Sequence, residues 1–337
     1  MNTLNLFLVT SPFQYICANE AKAHYKTKNN ILLLVEQPSE PGLSQQKKIV
    51  NESEWDHVIK IPRVSRSKHV PNAIKEIKSL IKASSIQHFF HAEYMAWRTK
   101  LIIRNLPISK EVYFDDGTLT VNEYEESIRT EAVYYRPRLI QDFLIRLKGC
   151  EPIGRLSQSK NLELFTVFDI NNPKHHITKN ELTVLKKKYK TQNLFDEKAP
   201  IGFIGQGAIG HKRRKTIEQY ISEIKHFSHE SQKPILYFPH RTESGELRKE
   251  VEKIPNLRYH ASEFPLEIEL VDKQIKLSSL VGILSTVQYT STLLYKDMPI
   301  FNLESGVEVA NIRKQSIVRT DRLRRLFIAQ GIKSIKI

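Results

Sequence analysis

The sequence predicts an α/β protein built as two doubly wound domains, and three observations carry that prediction. Short apolar runs alternate with helix-period segments along most of the 337 residues, the pattern of βαβ units around a mostly parallel sheet. The chain is longer than one hydrophobic core usually serves, so two domains are expected. Polar residues with chemical potential recur just after the apolar runs, where ligands bind in open α/β sheets.

Leu4–Val9 reads as the first buried strand, and Pro12 opens a helix through about Lys26, because proline suits the first helical turn. Strands follow at Ile31–Glu36, His57–Ile61, Gln87–His91 and Glu111–Phe114. Helices between them are expected over Ser44–Ser53, Pro71–Ala83 and Met95–Asn105; in the second, Ile74, Ile77, Leu80 and Ile81 recur at helical spacing. From Thr118 the alternation loosens, with helices over Arg138–Lys148 and Lys179–Tyr189 around a strand at Leu162–Phe168. Thr191–Pro200 is the linker candidate, dividing residues 1–195 from 196–337.

A second alternating series follows: strands at Ile201–Gly205, Ile235–Pro239, Leu257–His260, Leu280–Leu284 and Pro299–Phe301, with helices at Lys215–Phe227, Glu246–Glu252, Leu266–Val271 and Val287–Lys296. The last helix is a candidate to pack back onto the first domain. A cleft between the two domains is the expected ligand site.

Composition is that of a globular protein, 40% hydrophobic and 26% charged, with a net charge of +15. Such a charge suits nucleic acid, an anionic membrane surface or an anionic small substrate. Basic clusters lie at Lys186–Lys190, His211–Lys215 and Arg319–Arg325. None is interleaved with aromatics as a single-strand binding groove would be, so no nucleic-acid partner is expected. The C-terminal segment mixes Leu, Phe and Ile with basic residues, a composition suited to anionic lipid and equally to a helix with one face on the core. No apolar run is long enough to span a bilayer, and the N-terminal stretch lacks the features of a signal peptide. Two cysteines, Cys17 and Cys150, fit a reducing compartment. A cytoplasmic protein is expected, in peripheral contact with the anionic inner membrane at most.

Asp115-Asp116-Gly117 closes the fifth strand; adjacent residues alternate faces, so one acid points toward ligand and can serve as general base. Gly205, Gln206 and Gly207 begin a glycine-rich turn through Gly210, ahead of a helix with Lys212, Arg213 and Arg214 at its mouth. Backbone N–H groups in such a turn suit an anion. The run Pro234–Glu243 ends a strand in His240, beside Arg241 and Glu243; histidine can give a proton to a departing phosphate or hydrogen-bond its charge. Glu267 and Glu269 follow Pro265, where a carboxylate can accept ribose hydroxyls. Ser285 and Thr286 open a helix, as phosphate ligands or as ordinary N-caps. Acceptor-side candidates are Thr10, Ser11 and Gln14 after the first strand and His91, Glu93 and Tyr94 after the fourth.

Five pieces in order, Leu6–Tyr15, Tyr113–Thr118, Tyr237–Arg241, Pro265–Glu267 and the Ser-Thr pair within Gly282–Ser291, resemble bacterial sialyltransferases of the lipooligosaccharide, capsule and polysialic-acid type. The resemblance implies a GT-B architecture of two Rossmann-like domains, acceptor side first and donor side second. It implies an inverting, metal-independent reaction with CMP-sialic acid as donor, no cofactor, and a surface glycan or glycolipid as acceptor. On its pattern Asp115, with Asp116 the alternative, would be the base, and His240 would contact the donor phosphate as acid. Glu267 or Glu269 would hold the cytidine ribose, and Ser285 and Thr286 the phosphate. The chain departs from the family where proline follows the histidine: Arg241 stands there, with Pro239 before. The same fold acting on CMP-Kdo or another nucleotide sugar is the alternative, and a non-catalytic basic protein binding nucleic acid or membrane a more distant one.

Overall fold

The computed structural model describes residues 3–82, 85–190, 193–211, 215–304 and 314–337. Contacts divide the chain into two compact units, Met1–Val184 and Leu185–Ile337.

The first unit holds strands β1 (Leu4–Val9), β2 (Asn30–Val35), β3 (His57–Ile61), β4 (Ile86–His91) and β5 (Ile108–Phe114), a short antiparallel ribbon of β6 (Tyr134–Tyr135) with β7 (Arg155–Leu156), then β8 (Leu162–Thr166) and β9 (His176–Lys179). Its sheet runs β3-β2-β1-β4-β5-β8-β9 with every neighbour parallel. Helices α1 (Pro12–His24), α2 (Gly42–Ile49), α3 (Arg66–Ile81), α4 (Trp97–Asn105), α5 (Leu119–Glu123), α6 (Leu139–Leu147) and α7 (Thr183–Lys188) connect them, α7 running across the division. Successive strand residues face opposite ways and both faces are covered, so β1 and β2 are apolar apart from the buried Asn5 and Asn30. Leu6, Leu8, Ile31 and Leu33 pack with Ile74, Ile77 and Leu101 of α3 and α4, whereas Phe7, Val9, Leu32 and Leu34 pack with Cys17, Ala18 and Ala21 of α1.

Three departures from the sequence expectation in this unit either have a clear physical reason or have none in the local sequence. Helix α3 begins at Arg66 rather than Pro71 and carries the proline inside. One intrahelical bond is lost there, while Val70, Ala73, Ile74, Ile77 and Ile81 bury its apolar face. Lys179 ends a strand instead of starting a helix, because β9 finds a parallel partner in β8; Leu182 at φ 52° then breaks the path to α7. A π-helical turn at Tyr124–Ile128 follows α5 without any sequence signal.

The second unit contains β10 (Ile201–Ile204), β11 (Ile235–Phe238), β12 (Leu257–Tyr259), β13 (Ser279–Gly282), β14 (Ile300–Leu303) and β15 (Lys333–Ile335) in the order β12-β11-β10-β13-β14-β15, all parallel. Its helices are α8 (Ile217–Ser231), α9 (Gly245–Glu252), α10 (Leu266–Asp272), α11 (Thr286–Leu294) and α12 (Lys314–Ala329). Strand β15 was not expected; it forms by pairing with β14. Helix α12 packs on its own unit, where Phe327 lies 5.8 Å from the Tyr289 ring and Leu323, Phe327 and Ile332 are buried. Part of the apolar face of the C-terminal segment thus packs on the core, while Ile328 and Ile337 are exposed.

Lys215 also leaves the basic surface cluster, buried against Glu223 and bonded to the Glu304 carbonyl at 2.7 Å. Lys212, Arg213 and Arg214 lie outside the described residues. Cys17 and Cys150 are buried and are not joined in a disulfide. Among the described residues no helix is long and apolar enough to cross a membrane.

Candidate functional site

In each sheet the chain reverses its direction of travel beside the first strand, between β1 and β4 and again between β10 and β13. Ligands of open parallel sheets bind beyond the carboxyl ends of strands at such a switch point. The candidate residues are considered unit by unit.

In the first unit the loop after β1 is a hydrogen-bonded hub. The Thr10 hydroxyl donates to Glu93 Oε1 at 2.8 Å, and the Thr10 N–H donates to Gln14 Oε1 at 2.8 Å. Its carbonyl accepts from Arg63 Nη2 at 2.7 Å and from the Gln37 amide. Ser11 caps α1, its Oγ accepting from the Gln14 N–H. Gln14 reaches across with Nε2 to Asp116 Oδ1 at 2.8 Å. Gly117 turns the chain after the two acids at φ 67°, a left-handed conformation glycine adopts without strain.

The two acids have separate environments. Asp115 is fully buried; Thr166 Oγ1 donates to its Oδ1 at 2.5 Å and the Val167 N–H to its Oδ2 at 2.8 Å. Both oxygens are engaged by the end of β8. Asp116 is half-buried, and its proton affinity is raised to about 6, chiefly by burial; Glu93 and Glu123 add to this, and the Gln14 bond and Arg63 oppose it. Burial likewise raises Asp115 to about 7 against its hydrogen bonds with Thr166, the Val167 N–H and Thr120. Asp116 is therefore the accessible carboxylate of the pair, with a pKa suited to accepting a proton near neutrality.

His91 and Tyr94 are placed in the core. His91 Nε2 pairs with the buried Glu111 at 2.8 Å. The Tyr94 hydroxyl accepts from Gln158 at 3.0 Å, and its ring lies under Lys100 Nζ at 3.4 Å. Two neighbours of Asp116 escaped sequence reasoning. Arg63 follows β3, at a strand end like the others, and that position was its signal. Glu123 accepts from the Tyr94 and Met95 N–H groups and from the Tyr113 hydroxyl, which no local pattern announces.

In the second unit Gly205, Gln206 and Gly207 follow β10 and touch both neighbouring strand ends. A Cβ on Gly205 would lie 2.7 Å from the His240 nitrogen, and one on Gly207 would lie 2.2 Å from Thr242 Oγ1 and 2.4 Å from His240 Nδ1. Gln206 donates from Nε2 to the Ile283 carbonyl at the end of β13. His240 is half-buried after β11. Its Nδ1 accepts from the Thr242 N–H at 3.2 Å and lies 2.8 Å from the Thr242 hydroxyl. An N–H facing Nδ1 assigns the imidazole proton to Nε2. Burial, and then the neighbouring Arg241, lower the histidine's pKa, so the ring is neutral near pH 7. Arg241 itself is exposed. Glu243 accepts from the hydroxyls of Tyr237 and Tyr259.

After β13, Leu284 takes φ 45°, a strained conformation for a bulky side chain, with its N–H bonded to Asn302 Oδ1 at 2.7 Å. That turn leads into α11, where Ser285 and Gln288 form a capping box. Thr286, itself half-buried, opens the helix. Glu269 is consumed internally: it accepts from His260, Lys273 and the Glu263 and Phe264 N–H groups. Glu267 is buried one residue into α10, and burial raises it to about 7. Among the described residues no group of three His, Cys, Asp or Glu side chains gathers as a metal site.

Gly207 is the position where one added carbon should tell. Gly207→Ala must displace His240 or Thr242, and overpacking of this kind costs about 1–3 kcal/mol, roughly 5- to 150-fold in affinity if it falls on ligand binding. The unliganded melting temperature should fall, and any thermal stabilisation by nucleotide monophosphates should shrink with it.

No protein-family model and no curated protein matches the chain. Solved structures do. An alpha/beta-galactoside alpha-2,3-sialyltransferase from Photobacterium phosphoreum superposes with a TM-score of 0.56 at 14% identity, covering 99% of this chain and 98% of that one. The UDP-GlcNAc 2-epimerase of Methanocaldococcus jannaschii gives 0.53 at 11% identity, covering 100% and 89%. Likeness at such identities establishes the fold, the GT-B type with two Rossmann-like domains.

Proposed function

We propose that the chain is an inverting, metal-independent glycosyltransferase that moves sialic acid from CMP-sialic acid to a hydroxyl of a bacterial surface glycan. The observation that carries the reading is the half-buried carboxylate of Asp116, tuned to about 6 and held by Gln14. It is complemented by a neutral His240 braced between Gly207 and Thr242 in the donor-side unit.

Asp116 takes the acceptor hydroxyl proton as that oxygen bonds the anomeric carbon. The bond from the same carbon to the CMP phosphate breaks on the opposite face, and the electron pair leaves with the phosphate. The centre passes through an oxocarbenium-like state, so stabilising the departing charge matters as much as activating the nucleophile. His240 donates a hydrogen bond from Nε2 to the phosphate, while the Ser285 and Thr286 hydroxyls and the positive end of the α11 dipole hold it. A phosphomonoester whose second pKa is near 6 departs without needing a full proton. Glu267 is the carboxyl for the ribose, since Glu269 is fully engaged.

The test is CMP release from CMP-sialic acid with and without galactose-terminated acceptors, run beside CMP-Kdo and UDP-GlcNAc. Acceptor-dependent CMP release from the sialyl donor alone is expected. Release from UDP-GlcNAc, or equal thermal stabilisation by CMP, UMP and GMP, would refute the cytidine assignment.

A further inference from the structure

We propose that α6 is a membrane-interface element that lays its apolar face into an anionic bilayer surface. A helix at a protein surface ordinarily turns its apolar stripe inward, and α6 does the reverse. Leu139, Ile140, Phe143, Leu144 and Leu147 are 84%, 80%, 58%, 41% and 68% exposed, while Ile145 is fully buried and anchors the opposite side. At 3.6 residues per turn the five exposed side chains fall within an arc of roughly 140°. The apolar surface continues onto the preceding segment through Tyr135, 60% exposed, and Val133.

The rim of this face is predominantly cationic. Residues 133–149 contain four cations, Arg136, Arg138, Arg146 and Lys148, and one acid, Asp142, a net charge of +3. The acid is occupied locally, its carboxylate accepting from the Arg138 N–H at 3.1 Å. Helix α3, against which α6 packs, adds Lys75, whose Cε approaches Gly149, and Lys78 near Cys150. An apolar strip with a cationic border is the arrangement by which a helix rests in the plane of an interface, its face reaching about 5–10 Å into the headgroup region. Charge complementarity decides the occupant. A second copy meeting this face across a two-fold axis would bring like-charged rims together, whereas anionic headgroups neutralise them. The placement suits an enzyme whose acceptor is a glycolipid, but the inference stands apart from the reaction.

The experiment is flotation of the full chain with vesicles of phosphatidylcholine alone and of phosphatidylcholine mixed with phosphatidylglycerol. The wild type should float with the anionic vesicles and weaken as salt rises. Ile140→Glu/Phe143→Glu, at solvent-facing positions, should lower the partition coefficient by roughly tenfold or more. Circular dichroism and nucleotide-dependent melting should remain unchanged, so a failure here is separable from a failure at the active site. Arg136→Gln/Arg146→Gln should reduce the preference for anionic over neutral vesicles. Absence of wild-type flotation, or equal flotation of the Glu double variant, would overturn the proposal. A wild-type dimer in light scattering that the same variant converts to monomer would do so too.

Discussion

Asp116→Asn should lower turnover by about 10²- to 10⁴-fold, the range lost when a positioned general base is removed, with the fold intact. Asparagine keeps an oxygen where Gln14 Nε2 donates at 2.8 Å, so the hub around Thr10 survives. Stability should not fall. The folded-state pKa of Asp116 is raised above the free value, to about 6; the native state therefore holds this proton more tightly than the unfolded chain does. The aspartate's contribution to stability is thus greatest below its unfolded pKa and is lost as pH rises through 6. Asparagine has no such loss, so at neutral pH the variant should melt no lower than wild type. In the wild type kcat/KM should rise with pH through about 6 as the carboxylate ionises, and that limb should be missing from the residual activity of Asp116→Asn. Asp115→Ala should show the opposite balance. It strips the Val167 N–H and the Thr166 hydroxyl of their buried acceptor, costing about 1–3 kcal/mol, and turnover per folded molecule should survive. If Asp115→Ala is the dead enzyme and Asp116→Asn the active one, the assignment of the base is wrong.

That pair of residues also marks how far local sequence reaches. The fifth strand and its acidic end are legible in Glu111–Gly117 because apolar periodicity and a terminal glycine are local signals. Which acid is free is not local. It depends on β8, more than forty residues onward, laying Thr166 and Val167 against Asp115. The same holds for Glu267 and Glu269: both sit in the first turns of α10, and only His260, Lys273 and the loop at Glu263 show that Glu269 is taken. His91 reads as a strand-end ligand because its partner Glu111 belongs to a neighbouring strand. Helix α6 carries the lesson furthest. Its period announces a helix over Arg138–Lys148, but periodicity is blind to which side of a helix the rest of the chain covers.

His240→Ala should lower kcat by about 10²- to 10³-fold, the scale seen when one preorganised donor to developing charge is removed. The loss should fall on kcat more than on CMP affinity, because Ser285, Thr286 and the α11 N-terminus remain to hold the ground-state phosphate while the imidazole acts on charge that grows as the bond breaks. Two features of the site determine the pH dependence. Burial and Arg241 hold the pKa of His240 below its ordinary value, and Nδ1 already accepts from Thr242. A neutral ring donating from Nε2 does not titrate between pH 7 and 8, so wild-type kcat should stay flat there. An obligatory imidazolium would instead make it fall steadily with rising pH. His240→Gln keeps an N–H donor on a side chain of similar reach and should recover part of the loss, whereas His240→Phe fills the space and should recover none. Equal activity in the Gln and Phe variants would mean that the ring serves only to pack against Gly207, and the role assigned to the histidine would have to be given up.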